Sequence, residues 1–213
     1  KKFDLRLGWW VRRIRHKDGK ATGVEYVDAQ GRETFQPASI VILSSFTLSN
    51  TRLLYLSKIG TPYDAAAGKG TLGKNLTHQV EGTTRLFFDK PLNAFMGTGG
   101  LAIRISDYDG DHGFKGDEGI LRGGIIGVLS NGSRPIQTFD AVPRGAAKSN
   151  WGSEWKSEAL KWRDRNATIT LSGEHMSYRQ NFMDLDPTYT DKFGDPLLRF
   201  TLDWTEHEHR LSD

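Results

Sequence analysis

Residues 5–27 read LRLGWWVRRIRHKDGKATGVEYV, and this stretch decides the beginning of the fold. Apolar residues alternate from Leu5 to Val11, which is the period of a strand with one buried face. The pair Asp18-Gly19 then supplies the two residues that best tolerate positive φ in a two-residue hairpin turn. Residues 22–27 alternate again. The stretch therefore predicts a β-hairpin.

The residues that follow predict a third strand, a core strand and a helix. A second turn at residues 28–31 leads into an extended segment at 32–35. Residues 39–44 form a short apolar run, which we interpret as a fully buried strand. A helix is predicted over 50–57, with Thr47 or Ser49 as its cap.

The rest of the chain predicts further antiparallel strands and one clear helix. Strands are expected at residues 83–88, 101–106, 123–129, 168–171 and 197–204, with a turn-rich segment at 184–196. Trp151, Trp155 and Trp162 recur at helical spacing near residues 153–165, and we expect this stripe to be core. The predicted fold class is α+β, with a mainly antiparallel sheet, a β-meander and few helices.

Composition excludes several classes of protein. The 213 residues include no Cys, which excludes disulfide frameworks, thiolate catalysis, Fe–S ligation and Cys-based zinc sites. The net charge of +3 is scattered without a basic stripe, so nucleic-acid binding is not expected. Apolar runs fall far short of the roughly 18–20 residues that a transmembrane helix needs.

Three motifs resemble ligand sites but lack the surroundings that such sites require. Residues 97–102 match a dinucleotide fingerprint without the helix that should follow it. Asp107 to Glu118 has the acidic spacing of a calcium loop, although His112 replaces its turn glycine. His207 and His209 could share a metal if they lay on a strand, but an exposed polar end is the favoured interpretation, and no metal site is predicted.

Several longer segments resemble one family of flavoproteins. These segments are GKATGVEYVD at 19–28, SNTRLLYLSKIG at 49–60, GKNL at 73–76 and NFMDLDPTYTDKFGDPLLRFT at 181–201. In order and spacing they resemble the glucose-methanol-choline (GMC) FAD-dependent oxidoreductases, and the last resembles the branch of gluconate 2-dehydrogenase flavoprotein subunits. The resemblance implies a dehydrogenase that oxidises the hydroxyl of a sugar, polyol or sugar acid by hydride transfer to flavin N5.

The resemblance also implies that this chain is the middle of a longer protein. Family members carry an N-terminal dinucleotide fingerprint and a C-terminal segment with the catalytic His, and neither occurs here. Residues 1–80 would belong to the FAD domain and residues 81–213 to the substrate-binding domain. No catalytic residue is expected within this chain. Alone, it is expected to be inactive and not to bind FAD tightly.

Family positions close to the cofactor can be carried over to this sequence. The cofactor-facing positions implied by the resemblance are Val11, Ser44, Ser45, Phe46 and Gln79. Phe46 replaces a family glycine, and a packed aromatic is the alternative interpretation. Gln79 stands where many members have His.

The resemblance implies a second set of positions that face the substrate, namely His78, Glu174 and Asn181. A hydroxyl-rich ligand needs several matched polar partners. The alternative for Glu174 and Asn181 is a structural polar group with satisfied hydrogen bonds.

Partners and location are also implied by the resemblance alone. Relatives sit on the periplasmic face of the inner membrane with a small subunit and a cytochrome c subunit, so a periplasmic, membrane-associated protein is expected, with the cytoplasm as the alternative. Two other functions stay open: a non-catalytic carbohydrate-binding β domain, and a calcium-dependent module built on residues 107–118.

Overall fold

The computed structural model describes residues 3–96, 101–109, 120, 123–129 and 142–213. Within these residues the fold is mixed α+β with antiparallel sheets, which confirms the predicted class. The strands are β1 (Trp10–Lys17), β2 (Lys20–Val27), β3 (Glu33–Pro37), β4 (Gln79–Phe87), β5 (Leu101–Ile105), β6 (Gly124–Leu129), β7 (Asn166–Glu174), β8 (Phe182–Thr190) and β9 (Pro196–Thr201). The α-helices are α1 (Phe46–Leu56), α2 (Gly152–Trp162) and α3 (Glu206–Ser212). Among the described residues, no helix is long and apolar enough to span a bilayer.

The chain forms two compact units, and its path alternates between them. The first unit comprises Lys1–Thr77 and Ser177–Asp203, and the second comprises His78–Met176 and Trp204–Asp213. The assignment of the two parts of the chain to an FAD domain and a substrate domain stays a prediction.

The predicted hairpin opens the first unit. Asp18 and Gly19 have φ of 50° and 73°, as a two-residue turn between β1 and β2 requires. β1 begins at Trp10, so the prediction of a strand from Leu5 is wrong at its start. Trp10 pairs with Val27, the last residue of β2, and earlier residues therefore have no partner in that strand.

The predicted core strand at residues 39–44 is also wrong. The three-stranded sheet has the order β1-β2-β3 and does not include these residues. Ile40 and Ile42 are 78% and 83% exposed. An apolar run indicates where burial would be favourable, but a strand also needs a neighbouring backbone to receive its hydrogen bonds, and the described residues of this unit provide none here.

Helix α1 begins four residues before the predicted start, because the chain enters it from Ser45 and not from Thr47 or Ser49. Its Tyr55 hydroxyl lies 2.7 Å from the carbonyl oxygens of Leu72 and Met183, and so joins the helix to β8.

The β8-β9 hairpin was partly missed, because residues 184–196 were predicted to be turn-rich. β8 instead runs to Thr190, and only the Asp191–Asp195 connection is a turn. Asp195 is buried and accepts hydrogen bonds from Arg13 at 2.5 Å and Arg12 at 2.8 Å. These two guanidinium groups hold the pKa of Asp195 well below its usual range, although burial acts in the opposite direction.

The second unit is built on a four-stranded sheet of order β4-β7-β6-β5. The register places apolar side chains such as Leu171 and Ile126 on one face. Leu211 of α3 lies against that face at Gly173. Glycine is needed at this position, because a Cβ there would lie 3.0 Å from Leu211 Cγ and closer still to its Cδ2.

Helix α2 confirms only part of the predicted tryptophan stripe. Ala159 is buried, and Trp162 makes an edge-to-face contact with Phe87 at a centroid distance of 5.6 Å. Trp151 is 78% exposed, so its prediction as core is wrong. Trp151 is the extended residue that precedes the helix, and it therefore does not share the helical period of the other two.

Candidate functional site

Polar side chains gather on the second face of the four-stranded sheet, where β4 begins and β7 ends. Gln79 pairs with Glu174, and Glu81 pairs with Ser172, so these four side chains share one face of the sheet. His78 and His175 flank the same place, which forms an open depression also lined by Ile125. We call His78, Gln79, Ser172 and Glu174 the β4–β7 corner.

Hydrogen bonds order the exposed part of this corner. The Gln79 side-chain amide donates to Ser172 Oγ at 2.7 Å, across the two strands. His78 Nδ1 lies 2.9 Å from the carbonyl oxygen of Gln79. His78, Gln79 and Glu174 are exposed. The corner therefore offers an imidazole, an amide, a hydroxyl and a carboxylate to a polar ligand.

A buried layer supports the corner from within the same unit. His78 N–H donates to His175 Nδ1 at 3.1 Å, and the His175 side chain has no exposed area. On its other side, His175 Nε2 lies 4.0 Å from Glu208 Oε1. His207 Nε2 lies 3.3 Å from the carbonyl oxygen of Glu174.

Glu208 is a fully buried carboxylate at the start of α3. Burial raises its pKa, but hydrogen bonds from Met176 N–H and from the Thr205 hydroxyl and N–H outweigh that effect and lower the pKa to about 2. Glu208 is not among the site residues predicted from the sequence. Its signal was present, because Thr205 and Glu208 have the spacing of a capping box.

The two histidines considered as metal ligands lie on α3 and not on a strand. Residues i and i+2 of a helix point in different directions, and accordingly His207 is buried while His209 is exposed beside Trp204. The favoured interpretation of an exposed polar end is thus wrong for His207. Throughout the described ranges, no cluster of three His, Asp or Glu residues could hold a metal ion.

Two other motifs fall partly outside the described residues. The dinucleotide-like residues 97–100 and the calcium-like residues 111, 112 and 118 are not described. Asp107 and Asp109 are described and follow β5.

The predicted cofactor-facing positions of the first unit lie at its surface. Val11 in β1 is exposed, as are Ser44 and Ser45 immediately before α1. Phe46 has a φ of 70° and a ring that is 71% exposed, which contradicts the alternative of a packed aromatic. Ser44 and Ser45 are small and exposed, while their place beside a cofactor stays a prediction. The ring of Phe46 does not offer the bare backbone of the family glycine.

Asn181 belongs to the first unit, whereas the residues of the β4–β7 corner belong to the second. Its side chain is completely buried. Its amide nitrogen donates to the carbonyl oxygen of Asp203 at 3.0 Å, and its oxygen accepts from Asp203 N–H at 2.9 Å. These are the contacts of a structural polar group, while its role at a substrate stays a prediction.

Two characterised proteins are similar to this chain over nearly all of its length. The gluconate 2-dehydrogenase flavoprotein of Pantoea cypripedii is 38% identical over 99% of the chain. The 2-methyl-1,2-propanediol dehydrogenase of Mycolicibacterium austroafricanum is 25% identical over 98% of it. The chain spans 34% and 37% of the lengths of these two proteins. No family model matches the sequence.

Proposed function

We propose that this chain is part of an FAD-dependent oxidoreductase of the GMC family that oxidises a hydroxyl group of a sugar, polyol or sugar acid. The observation that carries the proposal is the 38% identity to the gluconate 2-dehydrogenase flavoprotein over 99% of the chain. The second relative is named for a diol, which is also an alcohol. A gluconate-like substrate is the first choice because the more similar relative is named for it.

In this proposal, residues 1–80 belong to the FAD domain and residues 81–213 to the substrate-binding domain of a longer protein. The cofactor-facing residues would be Val11, the Ser44–Ser45 pair, Phe46 and Gln79. When bound, the flavin would supply the acceptor for the hydride. This chain's own part is to form a wall beside it, with exposed small residues at 44 and 45.

The β4–β7 corner is the proposed contact for substrate hydroxyls. Each hydroxyl both donates and accepts a hydrogen bond, so a wall that recognises a polyol needs groups of both kinds. Gln79 supplies both, Glu174 accepts, and Ser172 is already held by Gln79. His78 stands at the rim of the same depression. We assign the proton acceptor of the reaction to a His outside this chain, so the 213 residues alone are expected to be inactive.

The test is an assay of the full-length protein with FAD and an artificial electron acceptor. Its substrates are a panel of aldonates, polyols, aldoses and short diols. We expect turnover of at least one of these alcohols, with flavin bleaching when substrate is added without an acceptor. Turnover of none, with FAD bound, would refute the proposed reaction. Tight binding of a sugar without any flavin would favour the carbohydrate-binding alternative.

The proposed wall is tested by Glu174→Gln and Gln79→Ala in the same protein. Each should raise KM for the preferred alcohol by about 5- to 150-fold, because a lost hydrogen bond to a substrate costs about 1–3 kcal/mol. Glu154→Gln, on the exposed surface of α2, is the matched control and should leave KM unchanged. If both site variants behave like the control, the wall lies elsewhere.

We further propose a periplasmic, membrane-associated location with a small subunit and a cytochrome c subunit as partners. The description of the more similar relative as the flavoprotein of a dehydrogenase supports the partner subunits. The location rests on the family resemblance alone. Fractionation of the native organism followed by affinity purification tests this proposal. Recovery of the protein from the cytoplasm without a haem protein would refute it.

A further inference from the structure

The buried imidazole of His175 holds the main chain at the entrance to β4. Its Nδ1 accepts the His78 N–H at 3.1 Å, and its side chain has no exposed area. A neutral imidazole that accepts at Nδ1 carries its proton on Nε2. The residue whose backbone is held precedes Gln79 directly, so the position of His78 and Gln79 depends on the orientation of one buried ring.

Glu208 favours that same orientation from the opposite side of the ring. At 4.0 Å its oxygen is too far from His175 Nε2 for a direct hydrogen bond, but a buried carboxylate at this distance still favours an N–H directed towards it. Glu208 is itself fixed by hydrogen bonds from Met176 N–H and from Thr205. Helix α3 therefore constrains which nitrogen of His175 is available to His78.

We propose that His175 is a positioning residue for the β4–β7 corner, with Glu208 selecting its Nε2–H tautomer. The inference deepens the proposed function and rests on it, because the corner is there the contact for substrate hydroxyls. His175 would not touch the substrate. It would keep His78 and Gln79 at the place where Gln79 is bound to Ser172 and faces Glu174.

The first experiment measures the tautomer and needs no substrate. The full-length protein is labelled with ¹⁵N-histidine, and two-bond ¹H–¹⁵N spectra are recorded for the wild type, His175→Asn and Glu208→Gln. The signal that is missing from His175→Asn identifies His175. We expect an Nε2–H tautomer in the wild type, and in Glu208→Gln an increased Nδ1–H population. An Nδ1–H tautomer in the wild type would overturn the proposal.

The second experiment follows hydrogen exchange of the His78 amide. His175→Leu removes the acceptor, whereas Asn places its Oδ1 close to where Nδ1 was. We expect the His78 amide to exchange at least tenfold faster in His175→Leu and to be protected again in His175→Asn. Equal exchange in the wild type and both variants would overturn the proposal. If His175→Leu does not fold, the proposal is still tested by the tautomer of the wild type and by the exchange rate of the His78 amide in His175→Asn.

The third experiment separates positioning from general loss of stability. We expect His175→Leu to raise KM for the preferred alcohol at least tenfold, and His175→Asn to return it to within threefold of the wild-type value. Val80→Ala is the matched control, because Val80 is fully buried in β4 beside Gln79 and its side chain forms no hydrogen bond with His175. It should lower the melting temperature with KM unchanged. An equal rise of KM in Val80→Ala would show that His175 contributes only to stability, and would overturn the proposal.

If no alcohol is turned over, the proposed function fails. The tautomer and the exchange rates of the His78 amide can still be measured in that case, and they test the role of His175 independently.

Discussion

Asn181 and Asp203 form a reciprocal pair, in which the side chain of the first residue satisfies both backbone groups of the second. The two hydrogen bonds measure 3.0 and 2.9 Å, and the Asn181 side chain is completely buried. The pair links the residue before β8 to the segment after β9. Asp203 is also the last residue of the first unit, so the two hydrogen bonds lie where the chain leaves that unit.

Replacing Asn181 by Ala should therefore affect stability first. The change removes a completely buried side chain and both hydrogen bonds to the Asp203 backbone, and we expect a loss of about 1–3 kcal/mol in the free energy of unfolding, measured by urea denaturation. Asn150→Ala, at an exposed position, should change it by less than about 0.5 kcal/mol. A raised KM with unchanged stability would instead support Asn181 as a substrate contact.

Gly173 and Gly82 lie on the same sheet and offer a matched comparison. Gly173→Ala would push a methyl group into Leu211, and we expect a loss of about 1–3 kcal/mol in the free energy of unfolding. The nearest atom to a Cβ at Gly82 lies 3.5 Å away, so Gly82→Ala should be tolerated. The double variant Gly173→Ala with Leu211→Ala should cost less than the sum of its parts. Strict additivity would show that the two residues do not meet.

Glu208 should make stability depend on pH in the acid range. Its folded pKa of about 2 lies below the unfolded value of about 4.3. The carboxylate therefore stabilises the folded protein fully above about pH 4.3, and the contribution is lost as the pH falls towards 2. Between pH 6 and pH 3 the wild type should lose about 2 kcal/mol more of its free energy of unfolding than Glu208→Gln does. Parallel losses in the two proteins would contradict the hydrogen bonds assigned to this group.

Replacing Phe46 by glycine should make the protein more stable. Its positive φ is unfavourable for a bulky side chain, and its exposed ring gains little from packing. We expect Phe46→Gly to raise the free energy of unfolding by roughly 0.5–1 kcal/mol. Thr47→Gly, in the first turn of α1, should lower it by about 0.5 kcal/mol because glycine loses more conformational freedom than threonine when the helix forms. A loss in Phe46→Gly would show that the ring is held by contacts.

The sequence predicted best where a structure is fixed by neighbouring residues. The Asp18-Gly19 turn needs only two residues that tolerate positive φ, and the chain has them at the right place. The alternation at residues 101–106 and the apolar run at residues 123–129 were likewise sufficient to find β5 and β6. Prediction failed where an element depends on a partner. Residues 39–44 have the composition of a core strand, but the described neighbours leave Ile40 and Ile42 exposed.

The candidate site also combines residues that could be predicted from the sequence with residues that depend on packing between distant elements. The resemblance to a family selected His78, Gln79 and Glu174, which the structure brings together at one corner. The supporting pair His175 and Glu208 depends on the packing of α3 under β7, and no local pattern specifies that packing. Only the capping box of α3 was visible in the sequence.

The alternation of the chain between two units imposes an order on its synthesis. Arg12 and Asp195, which are bonded in the first unit, are 183 residues apart along the chain. At about 5–20 residues per second, a ribosome needs roughly 10 to 40 seconds to deliver the second residue after the first. During that interval the early strands are already outside the ribosome without the β8–β9 hairpin, and this period is when a nascent chain would most need a chaperone.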